Sequence, residues 1–204
     1  MNYQEYTPSA ELEPFLKCFW SLEAPATSVA EKQRIVPDGC MEMIFHYGNL
    51  YRQYLPNGSF IIQPRCFVFG QITSPLEIEP TGVSGIIAAR FHPDGFAPFA
   101  KMPLTEMNNT AIALNLLFAD ETTVEEQVIQ AASNEDRIKI IETFLLQQLH
   151  TPESADRIAK SSIELLFYYN GQVSVDEMAG QLNINRRQLE RKFSSAIGLS
   201  PKQL

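Results

Sequence analysis

The chain has 204 residues, 45% of them apolar and 20% charged, and a net charge of −8. It is long enough to bury a core without disulfide or metal staples, and its composition excludes a disordered or collagen-like chain. No apolar run reaches the roughly 18 residues of a membrane span, and the N-terminus lacks the basic and apolar regions of a signal peptide. Three cysteines (Cys18, Cys40, Cys66) form an odd set with no CxxC spacing, which fits reduced thiols and a cytoplasmic location. The charge is unevenly placed. Residues 171–204 carry five basic and three acidic side chains, while the remainder carries 11 basic and 21 acidic ones. An acidic body with a basic tail points to a nucleic-acid partner at one end.

Up to about residue 118 the chain reads as mostly strand. Pro37-Asp38-Gly39, Pro56-Asn57-Gly58, Pro80-Thr81-Gly82 and Pro93-Asp94-Gly95 are turn signatures, because proline presets φ and glycine accepts positive φ. Between them lie apolar runs at 40–47, 60–70 and 83–91, the spacing of a β-sandwich or barrel. Helical pieces are expected near 11–17 and 95–101. Alternation over 40–47 puts Met41, Met43, Phe45 and Tyr47 on one face, as core, and Cys40, Glu42, Ile44 and His46 on the other. In 86–92, Ile86, Ala88, Arg90 and His92 share a parity.

From residue 121 the pattern turns helical. Val124, Val128 and Ile129 predict one short helix. Ser133 caps a second, whose stripe is Ile138, Ile141, Leu145 and Leu149. That stripe is too short for a stable coiled coil, so packing within the chain is favoured over a dimer seam. Thr151-Pro152 restarts the chain, and Ala155, Ile158, Ser162, Leu165 and Leu166 continue helically to Asn170-Gly171.

Residues 173–204 carry the most specific signal. Ser174 with Glu177 forms a capping box that opens a helix of about two turns, with Met178, Ala179 and Leu182 on its inner face. Asn183-Ile184-Asn185 makes a tight turn, and Asn185 with Gln188 opens a second helix. Leu189, Phe193 and Ile197 form that helix's buried stripe, and Gly198 ends it. Short helix, short turn and second helix is helix-turn-helix geometry, in which the second helix enters the major groove of double-stranded DNA. Side chains off the stripe then face the duplex: Arg186, Arg187, Gln188, Glu190, Arg191 and Lys192. Arg187 and Arg191 are four apart and share a face, and arginine's fork suits guanine edges and phosphates.

This stretch resembles the first helix-turn-helix of the AraC/XylS family of bacterial transcription regulators. The resemblance rests on Leu182-Asn183-Ile184-Asn185-Arg186-Arg187-Gln188-Leu189-Glu190-Arg191-Lys192-Phe193 followed by Gly198-Leu199-Ser200-Pro201. It implies that Arg187 and Arg191 reach base edges with Glu190 beside them, and that Asn185 and Arg186 lie near the backbone. The family's domain carries two such units joined by a long helix. Here Ser200-Pro201 looks like the start of that joining helix, so the chain reads as truncated after the first unit. The front of the chain, through I-V-P-D-G-C-M-E-M-I-F-H-Y-G, V-F-G-Q-I-T and A-A-R-F-H-P-D-G-F, resembles an uncharacterised sensor-type domain often found before AraC-type DNA-binding domains. In that family such domains are commonly cupin-like barrels that bind effectors or mediate dimerisation.

The mixed strand face suggests an effector pocket built from Glu42, His46 and Arg90, with Trp20 suited either to such a pocket or to the core. Glu42 and His46 are four residues apart on one strand, about 13 Å at ~3.3 Å per residue, too far to bond each other. A cupin-type metal site would need a His-x-His pair with a carboxylate, and His46, His92 and His150 are unpaired. Cys40 and Cys66 lie in apolar strands without an activating histidine, and no GxSxG, GxGxxG or P-loop occurs. No catalytic residues, metal or cofactor are therefore assigned.

The expected architecture is α+β: a β-rich cupin-like barrel or sandwich over 1–120 for effector binding or dimerisation, a helical connector over 121–150, and a partial DNA-binding domain over 151–204. The expected function is sequence-specific transcription regulation, with DNA, a small-molecule effector and a second copy as partners. The alternatives are a small-molecule or protein-interaction module with a vestigial DNA-binding half and, third, a β-barrel enzyme.

Overall fold

The computed structural model describes residues 1–26, 32–118, 121–149 and 157–204. Within them the strands are β1 (Asn2–Tyr6), β2 (Leu16–Ala24), β3 (Gln33–Ile35), β4 (Glu42–His46), β5 (Tyr51–Tyr54), β6 (Phe60–Ile62), β7 (Cys66–Phe69), β8 (Leu76–Pro80), β9 (Ser84–Phe91) and β10 (Ala111–Ala113). The helices are α1 (Glu121–Gln130), α2 (Asn134–Gln148), α3 (Arg157–Tyr168), α4 (Val175–Gln181) and α5 (Arg186–Ile197). The fold is α+β, a mostly-β N-terminal region followed by a helical C-terminal region.

The strands form two antiparallel sheets. One has the order β1-β2-β9-β4-β7-β10 and the other β3-β8-β5-β6. The alternation in β4 sets the layers. Met43 and Phe45, opposite Ala89 and Ile87 of β9, are fully buried with Met41 in the main core. Val124 and Val128 of α1 and Ile138, Ile141 and Leu145 of α2 close that core, and Leu149 packs at its edge. The α2 stripe therefore packs against the sheet within the chain. Ser133 caps α2 by accepting from the Asp136 N–H. Arg137 donates to the carbonyls of Val128 and Ala131 and lies 3.8 Å from the Tyr47 ring centre, so one side chain satisfies the open C-terminal carbonyls of α1 and holds the helix pair to the sheet. A second core joins α3, α4 and α5 through Ile163, Leu166, Met178, Leu189, Phe193 and Ile197.

Several local expectations change. Residues 10–15 make turns rather than a helix, and Leu16 already begins β2. Pro14 stops helical propagation, and β9 offers a ladder along nearly the whole of β2. The apolar run 60–70 is two strands in different sheets, because Pro64 has no N–H to continue a ladder. The helical piece near 95–101 is only a 3-10 turn at Ala97–Phe99. Gly39 and Gly58 adopt φ of +74° and +82° as their turns require, but Gly82 and Gly95 do not have positive φ. Gly95 is needed instead because a Cβ there would strike the Phe15 carbonyl. The Thr151-Pro152 restart, Ala155 and His150 lie outside the described residues. Among the described residues no helix is long and apolar enough to cross a membrane.

Leu145 is fully enclosed whereas Leu149 sits at the core's edge. Leu145→Ala is expected to cost about 2–5 kcal/mol, the range for emptying a packed leucine site, and Leu149→Ala less than about half of that. Urea unfolding followed by circular dichroism measures both. Equal, small losses would contradict the packing of α2 on the sheet.

Candidate nucleic-acid interface and ligand cavity

The helix-turn-helix is built as its sequence suggests. Ser174 and Glu177 cap α4 reciprocally, and Asn185 and Gln188 do the same for α5. Asn183 takes φ +53° in the turn, and the Ile184 N–H donates to the Ala179 carbonyl. Leu189, Phe193 and Ile197 are fully buried, which fixes the opposite side of α5 outward. Gly198 ends the helix at φ +87°. The Ser200 N–H and hydroxyl both donate to the Gln203 side chain, opening a further helical turn.

The side chains expected to face DNA divide into three groups. Asn185 and Gln188 are exposed but hold each other in the cap. Arg186 donates to Glu190 at 2.9 Å and to Asp176 at 3.4 Å, so two of the expected contacts neutralise each other on the surface. Arg187 and Arg191 are exposed and have no ion-pair partner among the described residues. Lys192 is half-buried beside them.

The C-terminal end of α5 rests on the β region. The Asn108 side-chain amide donates to the Gly198 carbonyl at 2.8 Å, and a Cβ at Gly198 would press on the Leu104 carbonyl. Nothing in the pattern of residues 103–110 identified Asn108 as a helix cap, because the contact spans 90 positions.

Between the two sheets lies a cavity of about 270 Å³. Trp20, Glu42, His46 and Arg90 all line it. The β4–β9 register explains the meeting of three of them: Glu42 faces Arg90, Ile44 faces Ala88, and His46 faces Ile86. Trp20 comes from β2 on the other side of β9, and its indole N–H donates to Glu42 Oε1 at 3.1 Å. Leu22, Ile35, Leu76 and Ile78 supply apolar walls. Asp38 was not singled out by the sequence. Its turn brings its carboxylate onto the Arg90 guanidinium, which also lies 3.8 Å from Glu42 Oε1. Aspartate in a Pro-Asp-Gly turn signals only the turn, and here its Oδ1 accepts from the Cys40 N–H as well.

Burial acts in opposite directions on the two polar ends. It pushes the Glu42 carboxyl up to about 7, against the pull of the Trp20 hydrogen bond. It pushes His46 down to about 4, opposed by the neighbouring Gln63 amide and aided by the Arg65 guanidinium. His46 is therefore neutral at pH 7. It stacks on Tyr51, with ring centres 5.4 Å apart, and neither ring nitrogen has a hydrogen-bond partner among the described residues.

A carboxyl raised in the folded state stabilises the fold below its unfolded pKa, and that stability is lost as pH rises through the folded value. Glu42→Gln should therefore match the parent near pH 4 and exceed it by on the order of 2–3 kcal/mol at pH 8, with the change falling between about 4.5 and 7. His46 changes stability in the opposite sense, losing its contribution as pH falls from about 6.5 to 4, and is common to both proteins. Urea melts at a series of pH values read the difference; a gap that does not vary with pH would contradict the burial of an ionisable carboxyl here.

Comparison with solved structures finds coarse likenesses. A ToxT structure from Vibrio cholerae strain SCE256 aligns over 95% of this chain and 77% of its own, at 10% identity and a TM-score of 0.47. ToxT from Vibrio cholerae O395 aligns over 91% and 76%, at 11% identity and 0.45. The AraC-like transcriptional activator CuxR aligns over 94% and 80%, at 13% identity and 0.36. No curated protein matches the sequence. A family model does, over residues 4–113, the β region that holds the cavity. The chain belongs to the family described as domain of unknown function DUF6597.

Proposed function

We propose that this chain is a non-enzymatic, DNA-binding transcription regulator of the AraC type. In this reading residues 1–120 form the effector-binding domain, 121–150 the connecting helices and 151–204 the DNA-binding part. One observation carries it: a doubly capped helix-turn-helix whose second helix buries Leu189 and Phe193 and leaves Arg187 and Arg191 exposed without ion-pair partners among the described residues. Two arginines one turn apart fit a major-groove edge, where each bidentate contact discriminates by about 1–3 kcal/mol. Arg186, held by Asp176 and Glu190, orients the helix start rather than reading bases. The cavity between the sheets is the effector site, since a concave, mostly apolar space with a few polar groups is the usual form of a small-molecule site.

The test is affinity for duplexes that this chain itself selects from a random pool, read by fluorescence anisotropy at fixed salt. Arg187→Ala and Arg191→Ala should each weaken binding by about 1–3 kcal/mol, and Arg186→Ala by less. With Arg186 internally paired, the slope of log K against log[salt] should be no steeper than about −4, and affinities should fall near the ~10⁻⁴–10⁻⁶ M range of phosphate-dominated binding. Unchanged affinity in both variants overturns the contact assignment. Failure of the folded chain to bind any duplex at low salt favours an interaction module with a vestigial DNA-binding half. For the effector site, Ile44→Trp fills the space that the Ile44 side chain lines. A folded variant that still responds to every ligand of the parent would overturn the cavity's role.

A further inference from the structure

The cavity has a chemical polarity that narrows its ligand. The charged side chains among its lining residues are Asp38, Glu42 and Arg90, two carboxylates against one guanidinium, and Met1 lines the cavity as well. Arg90 is already committed, since it pairs with Asp38 and approaches Glu42 Oε1. The same Oε1 takes the Trp20 indole N–H. Glu42 Oε2 has no hydrogen-bond partner among the described residues, while 23% of the side chain stays open to the cavity. An acceptor is therefore open at this end, while the terminal nitrogens of Arg90 already face carboxylates. Beside it, Trp20 and Tyr3 stack with ring centres 6.0 Å apart and interplanar angle 29°, and both line the cavity. A carboxylate next to aromatic faces is the setting that attracts an organic cation.

The rest of the space is mostly apolar, with the Gln63 amide beside His46. Leu22, Ile44, Ile78 and Ile86 line its middle, and His46, only 1% exposed, lies at the far end of the β4 face.

We propose that the cavity binds a primary alkylamine or similar amphipathic ammonium compound, its cationic head on Glu42 against the Trp20–Tyr3 pair and its apolar chain running towards His46. This rests on the reading of the cavity as the effector site and adds the class of effector. The excess of carboxylates discriminates against a carboxylate head of the same chain length, whose charge would face Glu42 with Arg90 already paired. The raised proton affinity of Glu42 agrees with a site short of one cation, since a bound ammonium would draw the carboxyl back to its ionised form.

Trp20 is the only tryptophan in the chain, so its fluorescence reports on this end of the cavity alone. Octylamine, octanol and octanoate share a chain and differ in head charge. Titrating the full chain with each at pH 8, where Glu42 is ionised, should show octylamine binding at least ten-fold more tightly than octanol, and octanoate weakest. Glu42→Gln, checked for folding by circular dichroism, should reduce the octylamine preference to within about three-fold of octanol and leave octanol itself unchanged. If octanol or octanoate binds as tightly as octylamine, or if the preference survives Glu42→Gln, the head-group assignment is wrong while the effector cavity stands. A flat response to all three overturns the inference outright, and the effector reading is then judged separately by the Ile44→Trp variant.

Discussion

The pairing of β4 with β9 is the constraint on which the rest of the structure depends. Its register places Met43 against Ala89 and Phe45 against Ile87 on one side, and Glu42 against Arg90 and His46 against Ile86 on the other. A slip of one residue would exchange the faces, putting a carboxylate and an imidazole into the helical core and two large apolar groups into the cavity. The buried face of the sheet, closed by α1 and α2, opposes that slip with the full weight of its apolar packing. The cavity is thus held in place by a core that it does not itself belong to.

On the cavity side the groups that carry chemistry are expensive in isolation and tolerable together. Arg90 is held by Asp38 and Glu42, and Glu42 by Trp20. A half-buried guanidinium without those carboxylates would leave a charge with neither full hydration nor a partner, which is unfavourable. The arrangement joins three separate parts of the chain, the β2 strand, the Pro-Asp-Gly turn and the β4–β9 pair, at one end of one space. His46 at the other end is managed differently: it gives up its charge and stacks on Tyr51.

The two halves of the chain meet near the same turn. Gly39 follows Asp38 directly, and a Cβ on it would overlap the Leu204 side chain. Gln71 donates to the Gly39 carbonyl at 3.0 Å, and Asn109 donates its N–H to the Gln71 carbonyl. The neighbouring Asn108 caps Gly198 at the end of α5. The segment that supplies Arg90's partner in the cavity is therefore linked by hydrogen bonds to the segment that supports α5.

The sequence by itself determined the elements whose signals are local. The caps of α2, α4 and α5 follow from Ser133, Ser174 with Glu177, and Asn185 with Gln188, since a cap is a bond across three residues. The two faces of β4 follow from alternation alone. The identity of the exposed arginines follows from the stripe Leu189, Phe193 and Ile197. Tertiary structure decided what no local pattern encodes. Residues 10–15 did not become helix because β9 offers β2 a long ladder. Arg186 was withdrawn from the unpaired set because Asp176, ten residues earlier, folds back beside it. Trp20, Glu42, His46 and Arg90 share one cavity because β2, β4 and β9 are neighbours in a sheet. Asp38 and Asn108 acquired their partners from positions 52 and 90 residues away. Periodicity fixes which side of an element is apolar, but the partner across the sheet is set by how distant segments compete to bury apolar area and to satisfy each backbone and side-chain polar group.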